Sequence, residues 1–139
     1  MLLCDSAQAV DGKLYILGGG WSLTGPQPAP SAIAIKLLVD VPDGQVERHW
    51  ELFLEDEDGQ PVMIDTGQGQ QAIEVRGEFT AQRPPELPPG TPVDINFAFN
   101  FPPFPLEPGR RFTWRLTVDG ETPEGAVIAF NTRNFQPQG

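Results

Sequence analysis

One cysteine, one histidine and nine basic residues are all that 139 positions offer of the side chains on which most catalytic, metal and nucleic-acid chemistry depends. With Cys4 alone, no intramolecular disulfide forms and no cysteine-based zinc site assembles. A reducing compartment fits. His49, also alone, excludes the multi-histidine metal sites and gives no Ser-His-Asp order to argue from. Nineteen acidic residues oppose the nine basic ones, for a net charge of −10. That field repels phosphate backbones and anionic lipids, so neither nucleic acid nor membrane is an expected partner. No run approaches about 18 consecutive apolar residues, the length a spanning helix needs. The opening Met-Leu-Leu-Cys-Asp lacks the basic start and apolar stretch of a lipoprotein signal, and a cytoplasmic location is expected.

Helical spacing is missing too, and strict alternation takes its place. Val93, Ile95, Phe97, Phe99 and Phe101 alternate with Asp94, Asn96, Ala98 and Asn100. The same period of two recurs in Phe112–Val118, Ile33–Val39 and Trp50–Leu54. It places each apolar set on one face of a strand, and those faces need a common core. Further strands are expected at Leu2–Val10, Lys13–Gly18, Pro61–Asp65, Gln71–Thr80 and Ala126–Thr132.

The turn chemistry agrees. Asp-Gly occurs at Asp11, Asp43, Asp58 and Asp119, each beside a strand-like segment. Both residues tolerate the positive φ of tight hairpin turns. A two-residue turn at Asp11-Gly12 would pair Val10 with Lys13, Ala9 with Leu14 and Ala7 with Ile16. Twelve of the sixteen prolines gather in Gly25–Pro30, Arg83–Pro92 and Pro102–Pro108, which are therefore crossings or edges. The expected fold is a single all-β domain over residues 1–139. Eight or nine strands would form a two-sheet antiparallel sandwich, immunoglobulin-like, with a jelly roll or small barrel as the alternative.

Cys4-Asp5-Ser6-Ala7 followed by Gly12-Lys13-Leu14-Tyr15-Ile16-Leu17-Gly18-Gly19-Gly20-Trp21 resembles a family of small bacterial proteins with no assigned function. The segment Pro108–Gly120 is similar to the penultimate strand of that family and of many immunoglobulin-like sandwiches. The resemblance implies a β-sandwich and brings no catalytic residue, cofactor or substrate. The two core cysteines of antibody domains are missing, and Phe112 has no hydroxyl for a tyrosine corner.

Several residues invite a functional reading. Trp21 fits none of the alternating faces and is the one indole free to stack on a sugar. Phe104, among Pro102, Pro103 and Pro105, either caps the core or belongs to an exposed apolar patch. Glu55, Asp56 and Asp58 lie in the densest carboxylate run; they offer calcium its oxygens without the spacing of the twelve-residue calcium loop, and Asp65 follows. A solvated hairpin tip is the better reading of the run. Asp5 falls opposite Gly18 on the face of Ala7 and Ala9, so a structural role is expected, its carboxylate accepting from the N–H groups of Gly18–Gly20. Gly18-Gly19-Gly20 has neither the helix nor the lysine of a phosphate loop and reads as a crossing that needs bare backbone.

No catalytic constellation and no cofactor site emerges. The expectation is a non-catalytic interaction or structural module, with a protein partner or self-association through an edge strand or proline-rich loop. The alternative is a carbohydrate- or calcium-binding module.

Overall fold

The computed structural model describes residues 1–135, which are all-β with no helix among them. One sheet has the strand order β1 (Leu2–Cys4), β5 (Ser31–Val39), β10 (Val93–Phe101). The other runs β4 (Leu23–Thr24), β12 (Val127–Thr132), β11 (Arg111–Val118), β6 (Gln45–Glu55), β9 (Glu74–Gln82). Two hairpins stand outside these sheets: β2 (Ser6–Val10) with β3 (Lys13–Leu17), and β7 (Met63–Asp65) with β8 (Gln70–Ala72).

Alternation explains how the two larger sheets share a core. Leu3, Ile33 and Ile35 project from the first sheet. They meet Trp50, Leu52, Leu54, Phe112, Trp114, Leu116 and Phe130 from the second. Full burial of a side chain such as Leu52 contributes about 1.5–3 kcal/mol. Both sheets are open, so the barrel alternative does not hold.

The first sheet is covered on its other face as well. Ala32 and Ala34 of β5 form a second small cluster with Cys4 and with Ala7 of the β2–β3 hairpin. Ala98 of β10 packs against it. Small side chains at alternate positions let the hairpin lie close to the sheet.

The hairpin has the register that its turn demands. Asp11 and Gly12 take φ of 51° and 73°, and Val10 pairs with Lys13, Ala9 with Leu14 and Ala7 with Ile16. Leu2–Val10, however, is not one strand. It breaks at Asp5, where β1 leaves β5 and β2 begins its own hairpin. The Asp5 N–H donates to Leu17 O at 3.0 Å and the Gly20 N–H to Leu3 O at 2.7 Å, so the main chain itself ties this crossing. Gln71–Thr80 likewise divides into β8 and β9.

The pairing is antiparallel except at one place. β4 runs parallel to β12, with Leu23 opposite Asn131 and Thr24 opposite Thr132. Two residues of strand are enough there because the proline-rich segment from Gly25 ends the pairing at once. No helix among the described residues is long and apolar enough to cross a membrane.

Candidate functional site

β10 combines an open edge with half-buried apolar side chains at four of its five inward positions. Its sequence, Val-Asp-Ile-Asn-Phe-Ala-Phe-Asn-Phe, has β-branched and aromatic residues at every inward position. Trp50 packs on Phe97 and Phe99 with ring centroids 5.7 and 4.9 Å away, and Phe101 stacks on Trp114 at 4.9 Å. These phenylalanines are expected in the core from alternation, yet Ile95, Phe97, Phe99 and Phe101 are all only half-buried. The reason is position: β10 is the last strand of its sheet.

Along one side β10 pairs with β5 over its full length, Val93 opposite Val39 and Phe101 opposite Ser31. Along the other, no strand and no main-chain hydrogen bond meets it among the described residues. Its face away from the main core carries a single charge, Asp94, in an exposed ion pair with Lys36 at 3.7 Å. Asn96 Nδ2 donates to Gly12 O at 2.7 Å. Asn100 Nδ2 donates to Ala7 O at 2.7 Å, and its Oδ1 accepts from Ala7 N–H at 3.2 Å. The hairpin therefore covers the outer face of β10 and leaves its edge open.

The other outer strands of the two larger sheets are managed. β1 has three residues and β4 two. β9 is as long as β10 but carries Glu74, Arg76 and Glu78. Short length and charge are the usual defences against edge pairing. β10 has nine residues, a single charge near one end (Asp94) and no internal proline.

The residues singled out in the sequence lie elsewhere. Trp21 is not an exposed platform: its indole meets Phe130 edge-on at 5.9 Å and packs against the core. The cavity it lines with Phe104 holds about 40 Å³, far below a sugar-sized pocket. Phe104 caps this end of the core, edge-on to Phe101 at 6.4 Å.

Glu55, Asp56 and Asp58 do not converge on a cation position. Glu55 Oε1 accepts from Arg115 Nε at 2.6 Å, and that guanidinium lies 5.1 Å above the Phe53 ring. Asp56 Oδ1 caps its own turn, accepting from the N–H groups of Asp58 and Gln60 at 2.9 Å each. Asp58 is exposed at the tip. Asp65 likewise turns to its own loop, accepting from Gly67 N–H at 3.1 Å.

Asp5 does lie over Gly18, at the place a Cβ there would need, but it is exposed. Its carboxylate takes no hydrogen bond from Gly18–Gly20; the loop is tied instead by the main-chain bond from Gly20 N–H to Leu3 O. Gly19 needs its bare backbone, since a Cβ would come within 2.9 Å of both Leu2 and Ile16.

One group is invisible without the register. Glu47 and His49 on β6 and Glu78 on β9, all exposed, bring one ligand atom each within 4.8 Å of one another. One imidazole with two carboxylates is a donor set that zinc accepts. His49 Nδ1 already lies 3.3 Å from Glu78 Oε1, and all three side chains are exposed to solvent. Cys4 is fully buried and donates to Ala32 O at 3.5 Å. Burial pushes its thiol above the ordinary value, the neighbouring Asp5 charge adds to the rise, and a hydrogen bond with Ala34 backbone opposes it. The lone thiol and the lone imidazole thus lie on different sheets, one sealed and one solvated.

Comparison with curated proteins gives no match, and neither does comparison with solved structures. A family model does match, over residues 1–130, and it is described as a family of unknown function (DUF6941). The chain belongs to that family.

Proposed function

We propose that this chain is a non-catalytic, immunoglobulin-like sandwich module that binds a protein partner by adding a strand to the open edge of β10. The observation that carries the reading is the contrast among the four outer strands of the two larger sheets. Three of them are short or carry several charges, and β10 alone is long, largely apolar and open along one edge with only Asp94 charged.

Strand addition works because an edge offers main-chain donors and acceptors in register, and pockets at alternate positions then select side chains. On β10 the half-buried Ile95, Phe97 and Phe99 provide such an apolar rim. A partner strand would bury what remains of them. A non-catalytic role is supported by the separation of the sealed Cys4 on β1 from the solvated His49 on β6.

The test is a pull-down from an extract of the protein's own cells, with the wild-type chain and Ile95→Lys as baits. Lysine's stem can lie on the rim while its charge opposes strand addition, as edge lysines do. Proteins held by the wild type should be lost with Ile95→Lys. Recovery of the same set by both baits contradicts the reading.

A further inference from the structure

We infer that the strand added to β10 is β10 of a second copy, paired antiparallel about Phe97 in a twofold dimer; this rests on the interaction reading above. Antiparallel pairing centred on the middle residue engages all nine positions of the strand. In that register Phe97 opposes Phe97, Ile95 opposes Phe99 and Val93 opposes Phe101. Directly opposed residues in an antiparallel pair point to the same face. The apolar rim of one copy therefore continues into that of the other, and both cores extend across the joint.

The outer face matches as well. Asn96 opposes Ala98, and Asp94, the strand's only charge, opposes Asn100. No like charges meet along the strand, although each copy carries a net charge of −10. A twofold interface requires this kind of self-complementarity. The strand's ends suit it too. Pro92 precedes Val93 and Pro102 follows Phe101, so neither chain can prolong the ladder past the nine pairs.

The distributed negative charge opposes association, and salt screens it. Dimerisation should therefore strengthen as ionic strength rises, the reverse of an interface built on ion pairs.

The test is sedimentation of the full chain over a concentration series, with dipolar spectroscopy on a spin label at Asp94→Cys. Cys4 is buried, so the label goes to the exposed site. The dimer should place the two labelled Cα atoms roughly 20 Å apart, six strand residues along the pair. It should be lost with Ile95→Lys while the circular dichroism stays that of a β protein.

A wild type that remains monomeric at every concentration and salt overturns the inference, as does a dimer whose labels lie far from that separation. If Ile95→Lys fails to fold, the label distance decides alone. A monomer that still loses its cellular partner on Ile95→Lys ends the second-copy inference and leaves the interaction reading intact.

Discussion

Asn100 binds Ala7 from both sides, donating to its carbonyl at 2.7 Å and accepting from its N–H at 3.2 Å. A side-chain amide here does what a neighbouring strand would do, and it fastens β2 across the outer face of β10. Asn100→Ala removes both bonds and leaves a peptide group of the buried Ala7 unpaired, at a cost of about 1–3 kcal/mol. Amide exchange in Ser6–Val10 should accelerate more than exchange in β6 or β11, because the hairpin comes loose before the core opens.

Trp50 stands directly opposite Gly77 in the β6–β9 pair, and a Cβ on that glycine would lie 2.7 Å from the indole. Gly77→Ala therefore overpacks a rigid ring and should destabilise the fold by about 1–3 kcal/mol, read as a lower denaturant midpoint with an unchanged slope. Pairing it with Trp50→Leu should recover part of the loss.

Glu55 is already occupied by Arg115 at 2.6 Å, and Asp56 by its own turn. Added calcium should leave the melting temperature of the wild type unchanged. Glu55→Gln should lower stability by about 1–2 kcal/mol, since one partner of a charged hydrogen bond is lost at a part-buried position.

The raised thiol of Cys4 has a consequence with a definite sign. The native protein holds the proton more tightly than the unfolded chain does, whose thiol titrates near 9.0. Its contribution to stability is complete below that value and is lost as pH rises through the higher native one. Cys4→Ala should remove this part of the alkaline dependence. Native Cys4 should resist a thiol reagent at about pH 8 and react on denaturation.

Period-two alternation and turn residues made much of the architecture legible. Asp11-Gly12 fixes the hairpin register outright, because a two-residue turn leaves no freedom to slip. Alternation in Val93–Phe101 identifies the inward face, but it is blind to how many neighbours a strand has. The half-burial of Phe97 and Phe99 at an open edge was therefore out of reach.

The break at Asp5 was hidden for a related reason, since it depends on main-chain bonds to Leu17 and from Gly20 that no local pattern encodes. Glu47, His49 and Glu78 meet only through the β6–β9 register, in which His49 opposes Glu78. The carboxylates of Glu55–Asp58 were conspicuous in sequence because they are contiguous, yet contiguity in a turn spreads side chains apart.

The most direct test of the edge account is amide hydrogen exchange along Val93–Phe101 over a protein concentration series. Alternate amides of β10 face β5 and should be protected throughout, while those on the open side should exchange freely in dilute solution and gain protection as concentration rises. Open-side amides that are protected even at high dilution, or whose exchange never changes with concentration, would contradict it.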